Sequence, residues 1–383
     1  MRLVTLLQPR KIVVGADAIR ECCQDLEAMG LRRILVVSSP DTASFAEPLL
    51  ALPGTQLFAR IDREPTFPMF EQLLGEARQL QPDAVVGLGG GSVLDAAKLA
   101  AALADGAQQL GEVLGIGRLA RRRIFLACLP TTSGTGSEVS PNAILLDPSD
   151  RMKKAVISPH LVPDAAYLDP LLTVSMPPAV TASSGMDALT HCIECYANRA
   201  SHPAVDLYAL EGIRLAGRSL ERAVRDGRDL AARQDMMLAS LYGGLCLGPV
   251  NTAAVHALAY PLGGEFEIPH GISNAVLLPY VLAFNLPAMP DRYAEVAVAL
   301  GVPRAVDLLE TARGGIRRIR EMLRACGLPD RLGELGIPES AIPRMVESAM
   351  TVTRLLRNNP REVTPAEAER IYRAALTGDL RLE

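Results

Sequence analysis

An aliphatic run, Ala84-Val85-Val86-Gly87-Leu88-Gly89, continues into Gly90 and Gly91 and gives way at Ser92 to the helical pattern Ser92-Val93-Leu94-Asp95-Ala96-Ala97-Lys98. A strand apolar on both faces belongs inside a parallel sheet covered by helices on each side. Glycines at its end permit positive φ and let backbone N–H groups come close to a ligand. The helix behind them presents unpaired N–H groups and the positive end of its dipole. The combination reads as a pyrophosphate cradle; the plainer alternative is a tight turn capped by Ser92.

The first half keeps this alternation. Strand candidates run over 11–15, 34–39, 56–61, 84–89, 124–129 and 143–147, with helical patterns over 16–29, 42–52, 67–80 and 92–104. A βαβ succession of this kind predicts an open parallel sheet with helices on both faces. It departs from the standard dinucleotide fold, because the strand 34–39 runs into Ser39-Pro40-Asp41-Thr42 with no glycine. A second loop after a buried strand, Pro130-Thr131-Thr132-Ser133-Gly134-Thr135-Gly136, offers hydroxyl and backbone donors to a ribose, phosphate or amide. Beside the glycine loop it reads as a second wall of one nucleotide site.

The alternation ends near Met176-Pro177-Pro178. Beyond it the patterns are helical, over 178–198, 203–224, 229–247, 253–262, 291–300, 305–326, 338–353 and 365–376. The sequence therefore predicts an α/β nucleotide-binding domain over 1–178 and an all-α domain over 179–383, closely packed, with no internal repeat and no low-complexity linker.

Three of the five histidines fall in the helical half within two short patches. Gly185-Met186-Asp187-Ala188-Leu189-Thr190-His191 places Asp187 and His191 one helical turn apart on one face. His256 lies in a second helical run, and Pro269-His270-Gly271 follows it. One carboxylate and three imidazoles make a complete ligand shell for a divalent transition metal. The spacing matches neither His-Glu-x-x-His nor paired Cys-x-x-Cys signatures, so hydrogen-bonded core histidines remain the alternative at this point. Cys192-Ile193-Glu194-Cys195 adjoins the patch, but on a helix Cys192 points about 100° away from His191. Both thiols read as small apolar packing groups.

A net charge of −4 gives no electrostatic grip on nucleic acid, and Arg121-Arg122-Arg123 reads as a solvated loop. Residues 1–9 lack the apolar core of a signal peptide, and no uninterrupted apolar run approaches the ~20 residues of a membrane span. Seven scattered cysteines read as reduced thiols. These features predict a cytoplasmic protein without a membrane partner.

Together, Gly89 to Ser92, Pro130 to Thr135, Gly185 to His191, the His256–His270 spacing and Asn359-Pro360-Arg361 resemble the iron-containing (group III) alcohol dehydrogenase family along essentially the whole chain. The resemblance implies a dehydroquinate-synthase-like fold with the active site in the cleft between its domains, and hydride transfer between a small alcohol and its aldehyde or ketone. It implies NAD as cofactor, and a metal, Fe²⁺ or Zn²⁺, held by Asp187, His191, His256 and His270. It implies a pyrophosphate loop at Gly89, Gly90, Gly91 and Ser92. Ser39, Asp95, Thr131, Thr132, Thr135, Lys154 and Leu172 are the further cofactor-binding positions. A homodimer or larger homo-oligomer also follows from the family.

Two departures bear on the chemistry. Many members carry a histidine four residues after the third ligand; here that position is Tyr260, a possible proton donor. NAD-preferring members often end the second strand with Asp; here Ser39 stands there, which leaves NADP open. A maleylacetate-reductase-like enzyme or a hydroxyacid–oxoacid transhydrogenase shares the fold, and a nucleotide-binding regulator without turnover is the non-enzymatic reading. An intact ligand quartet argues against the first.

Overall fold

The computed structural model describes residues 2–62, 64–149 and 152–382, and they divide into two units. Residues 6–175 form one, and residues 176–382 with 2–5 form the other. Met1 and Glu383, the outer bounds of the two expected domains, lie outside the described residues. The Arg2 guanidinium donates to the carbonyls of Ala200 and Pro249, the latter at 2.8 Å, so these first residues pack with the helical unit.

The strands of the first unit are β1 (Lys11–Val14), β2 (Ile34–Ser38), β3 (Thr55–Phe58), β4 (Ala84–Gly89), β5 (Gly115–Ile116), β6 (Phe125–Pro130), β7 (Asn142–Asp147), β8 (Met152–Ile157) and β9 (Ala165–Leu168). Among the described residues the main sheet is wholly parallel in the order β1-β9-β6-β4-β2-β3, and β5-β8-β7 form a smaller sheet. Successive side chains of the central strands enter opposite cores. Leu35, Val37, Val85, Leu126 and Cys128 face one, and Ile34, Val36, Val86, Leu88, Ala127 and Leu129 face the other. That two-sided burial is why these strands read as unbroken aliphatic runs.

From β2 the chain adds β3 on one flank, then crosses to β4, β6 and β9 on the other. The carboxyl ends of β2 and β4 are therefore a topological switch point, where open α/β sheets bind ligands. Gly87 lets the 91–103 helix lie close behind β4, since a Cβ there would stand 2.9 Å from Ala97 Cβ.

Several expectations need correction. β5, β8 and β9 were not expected. β5 has two residues, and β8 reads Met-Lys-Lys-Ala-Val-Ile without a continuous apolar face. The helical pattern over 42–52 is a 3-10 turn, Ala43–Ala46, and a single α turn, Glu47–Leu50. Arg122 is not solvated. Its guanidinium donates to the carbonyls of His160, Ile124 and Val162 and pairs with Asp164 at 2.5 Å, pinning the loops that precede β6 and β9.

The second unit packs its helices around one apolar core. Its main helices are Pro178–Tyr196, Pro203–Arg225, Leu230–Leu247, Ala254–Phe266, His270–Asn285, Pro290–Ala299, Leu308–Ala325, Ile342–Met350 and Pro365–Thr377. His270–Asn285 was not expected from periodicity. It is apolar around most of its circumference and buried from Ser273 to Asn285, so it has no polar face to mark a period. With the short extension to Ala288 it reaches the length and mean hydropathy of a membrane span, although Ser273, Asn274 and Asn285 interrupt its apolar run. However, 78% of that window is buried inside the protein, so it reads as a core helix.

Candidate metal centre and nucleotide loop

Pro178 opens the helix that carries Asp187 and His191, following Pro177 as N-cap. Pro at the first turn costs nothing there, because its missing N–H would be unpaired anyway. Asp187, His191 and Glu194 follow at i, i+4 and i+7, one stripe of one face. Small residues let the neighbours approach. A Cβ on Gly185 would stand 2.4 Å from Leu220 Cδ1, and one on Gly243 would stand 3.1 Å from His191 Cβ. His270 is the first residue of its helix. The next residue, Gly271, lies so close to this first helix that a Cβ would come within 2.3 Å of the Ser183 carbonyl oxygen. That contact brings His270 alongside Asp187, one turn further on.

Ligand atoms of Asp187, His256 and His270 all lie within 4.8 Å of one another. His256 Nε2 and His270 Nε2 each stand 3.7 Å from Asp187 Oδ1, and His256 Nε2 is 3.0 Å from His191 Nε2. Donors about 2.1 Å from a common ion are separated by roughly 3–3.5 Å along a coordination edge, so the Asp187–His256 and Asp187–His270 pairs need to close by only a few tenths of an ångström to share one divalent cation, with His191 in contact with His256 beside them. Asp187, His191 and His256 are buried, whereas the His270 side chain is 34% exposed and forms the accessible edge of the cluster.

The electrostatics favour a cation. Burial alone would push the Asp187 carboxyl up, but the imidazoles of His191, His270 and His256 outweigh it and hold it well below the usual carboxylate range. Burial would likewise lower His256, yet Glu194 and Asp187 reverse the sign and raise it to about 9. A site that grips a proton this way uses the same negative potential on a metal ion, which must displace that proton to bind. Two groups that sequence reasoning missed surround the cluster. Glu194 Oε2 lies 2.6 Å from His256 Nδ1, and Asn274 Nδ2 donates to Asp187 Oδ1 at 2.8 Å while standing 3.1 Å from His270 Nε2. The available signal was spacing: Glu194 continues the Asp187–His191 stripe, and Asn274 lies one turn after His270.

In the first unit, none of Gly89, Gly90 and Gly91 takes a positive φ. The expected conformational need is replaced by a steric one. A Cβ on Gly91 would stand 2.6 Å from Thr135 Cγ2, one on Gly90 3.3 Å from Thr132 Cγ2, and one on Gly89 2.6 Å from Val93 Cβ. The glycine and threonine loops thus touch, joined also by Thr131 N–H to the Gly89 carbonyl at 3.0 Å. The helix starts at Gly91, not Ser92, and no side chain caps it. Its first N–H groups are left to a ligand or to solvent. Asp95 accepts from Ser137 Oγ and, at 2.9 Å, from the Ile144 N–H, so it holds the threonine loop in place.

The other expected cofactor positions are spread along the unit. Ser39 follows β2 and shares a hydrogen bond of 2.8 Å with Thr42 Oγ1. Lys154 lies on β8 opposite Leu145. Leu172 is buried in the core beneath the sheet. In the helical unit, half-buried Tyr260 lies one turn after His256. Cys192 and Cys195 are buried, free thiols that burial drives to high pKa, and their sulfurs donate to the Ala239 and Asn251 carbonyls. The Asn359-Pro360-Arg361 motif serves the scaffold. Asn359 and Asn285 exchange two amide hydrogen bonds, of 2.6 and 2.9 Å, and Arg361 donates to the Phe284 carbonyl at the end of the His270 helix.

The model for iron-containing alcohol dehydrogenases matches residues 9–170, and that for the C-terminal part of the Fe-containing alcohol dehydrogenase family matches residues 181–376. The chain is 36% identical to long-chain-alcohol dehydrogenase 1 of Geobacillus thermodenitrificans (strain NG80-2), over 99% of this chain and 98% of that protein. The crystal structure of a 1,3-propanediol oxidoreductase superposes with a TM-score of 0.94 at 32% identity, covering 98% of this chain and all of the other. A sulfoacetaldehyde reductase from Bifidobacterium kashiwanohense, solved in complex with NAD⁺, gives 0.90 at 28% identity, with 98% and 99% covered. With both halves matched and relatives aligned along nearly its whole length, the chain belongs to the iron-containing alcohol dehydrogenase family, oxidoreductases acting on CH–OH groups.

Proposed function

We propose that this chain interconverts a small alcohol and its aldehyde or ketone with NAD, using Fe²⁺ held by Asp187, His191, His256 and His270. The observation that carries the reading is the convergence of these side chains, with ligand atoms of Asp187, His256 and His270 inside 4.8 Å. When bound, the divalent metal supplies Lewis-acid polarisation of the substrate oxygen and the nicotinamide supplies the hydride acceptor. The residues do the rest. Asp187 and the imidazoles fix the position at which charge on oxygen is stabilised, and the exposed edge of His270 is the side from which substrate approaches. Gly89 to Ser92 and the start of the 91–103 helix bind pyrophosphate through backbone N–H groups. Thr131, Thr132 and Thr135 line the same site, Asp95 keeps their loop in register, and Ser39 meets the adenosine ribose. Lys154 and Leu172 complete the cofactor set, and Tyr260 is the group from which a proton reaches the alkoxide.

NAD is favoured by the NAD⁺ complex of the sulfoacetaldehyde reductase. Ser39 brings no carboxylate against a 2′-phosphate, so NADPH belongs in the same assay, as Zn²⁺ does beside Fe²⁺. The reductase-like, transhydrogenase and regulator alternatives are not needed to account for these features. We place the enzyme in the cytoplasm as a homodimer or larger assembly, which light scattering of the purified protein tests. The decisive experiment compares wild type with His270→Ala. Metal content after anaerobic purification and turnover of short aldehydes with NADH should fall together. Full activity in a metal-free His270→Ala variant overturns the assignment.

A further inference from the structure

We propose that Glu194 is a positioning residue for the metal: it fixes His256 as a ligand through Nε2 and ties together the two helices that bring His191 and His256 to one point. The proposal rests on the metal reading given above and adds a residue to it.

The geometry is specific. Glu194 is buried, 4% exposed, and both of its oxygens are committed to adjacent residues of the next ligand-bearing helix. Oε1 accepts from the Val255 N–H at 2.6 Å, and Oε2 lies 2.6 Å from His256 Nδ1. The Ala254–Phe266 helix has no side-chain cap of its own at Ala253. The Glu194 carboxylate therefore satisfies one of its unpaired first-turn N–H groups from a distant position. A carboxylate only accepts, so the short contact to Nδ1 requires the proton there. In the neutral ring that leaves the lone pair on Nε2, the nitrogen that stands 3.0 Å from His191 Nε2 and 3.7 Å from Asp187 Oδ1. At that separation the two Nε2 atoms share either a proton or a cation, and a divalent ion bound between them takes the proton's place. Glu194 also brings a second buried carboxylate, and with Asp187 it balances a dication. A buried carboxylate kept only to cap a helix would be costly, since a neutral amide or hydroxyl accepts the same N–H without a desolvated charge.

Glu194→Gln separates the two roles. The glutamine oxygen still accepts from Val255, but its NH₂ now faces His256 Nδ1, which must become the acceptor and pass its proton to Nε2. We expect metal-free Glu194→Gln to melt lower, since it loses a buried ion pair, but to keep its helical fold by circular dichroism, while Co²⁺ titration gives a dissociation constant about 10–100-fold higher and a changed visible d–d spectrum. Glu194→Asp keeps the charge and should recover part of the affinity. Wild-type affinity and spectrum in Glu194→Gln overturn the proposal and leave the metal reading standing. A wild type that takes up no Co²⁺ removes the metal reading itself. If Glu194→Gln does not fold, ¹⁵N-histidine spectra of Zn²⁺-loaded wild type decide the matter. A protonated Nδ1 and a coordinated Nε2 on His256 support the proposal, and coordination through Nδ1 refutes it.

Discussion

Gly271 and Ser183 meet so closely that a single added carbon has no room: a Cβ on Gly271 would lie 2.3 Å from the Ser183 carbonyl oxygen and 2.8 Å from its carbon. Both neighbours are backbone, so neither can rotate away. In Gly271→Ala the first turn of the His270–Asn285 helix must shift by roughly 1 Å, and His270 is its first residue. Displacements of that size at a reacting centre cost on the order of 100-fold in rate. We expect kcat/KM to fall by about that factor and metal content to drop below that of wild type, with the helical fold retained by circular dichroism. Unchanged metal content and turnover would show that the contact does not set the His270 position.

Asn274 acts on the other side of the cluster. Its Nδ2 donates to Asp187 Oδ1 at 2.8 Å, and its Oδ1 is buried without a hydrogen-bond partner among the described residues. An orphaned acceptor beside the ligand atoms contributes little to folding, because its own desolvation offsets what the donor gains. Asn274→Ala should therefore leave the melting temperature near wild type while weakening metal binding about tenfold, as loss of an outer hydrogen bond to a ligand does. Competition with a coloured chelator measures both constants. A variant that melts far below wild type but holds metal normally would assign Asn274 to the scaffold instead.

These two residues show where the sequence speaks and where it does not. The central strands were legible because burial on both faces leaves aliphatic runs such as Ile34 to Val37, and the Asp187–His191 pair because a helical turn converts directly into spacing. The His270 helix was illegible for the opposite reason: an all-round apolar helix carries no period, and Pro269 and Pro279 punctuate it like a loop. Asn274 vanished with it. Glu194 was hidden by its frame, since Cys192 and Cys195 drew attention to thiols that only pack. For the glycine loop the residues were legible but the cause was not. Sequence suggests freedom of φ, whereas the need arises from Thr135 and Thr132, contacts between loops about forty residues apart.

That steric need gives a third test. With Thr135 Cγ2 2.6 Å and Oγ1 2.8 Å from a Cβ at Gly91, the Gly91→Ala loop must part from the threonine loop. Overpacking of this kind costs about 1–3 kcal/mol, and the strain falls on the nucleotide site. NADH binding followed by fluorescence should weaken roughly tenfold or more, the equivalent of about 1.4 kcal/mol, while metal content, held by the other unit, stays at the wild-type value. Adding Thr135→Ala removes both overlapping atoms and should restore part of the affinity. No recovery in the double variant would mean that the glycine serves the ligand alone, not its neighbour.

Glu138 supplies the pH dependence. It is buried in the first unit, just beyond the threonine loop, and burial pushes its carboxyl up to about 7, outweighing a hydrogen bond from its own backbone N–H and the charge of Lys98. A carboxyl whose folded value is raised binds its proton more tightly in the native state than in the unfolded chain. Stability is then full below the unfolded value near 4.5 and falls as pH rises, until the folded value near 7 is passed. The total loss is on the order of 3 kcal/mol, from about 1.36 kcal/mol per pH unit across that window. Glu138→Gln keeps the shape and removes the titration. It should match wild type at pH 4.5 and melt several degrees higher at pH 8. Calorimetry of both proteins across that range checks the slope. Parallel melting curves for the two would mean that Glu138 stays ionised in the fold with a partner strong enough to cancel its burial.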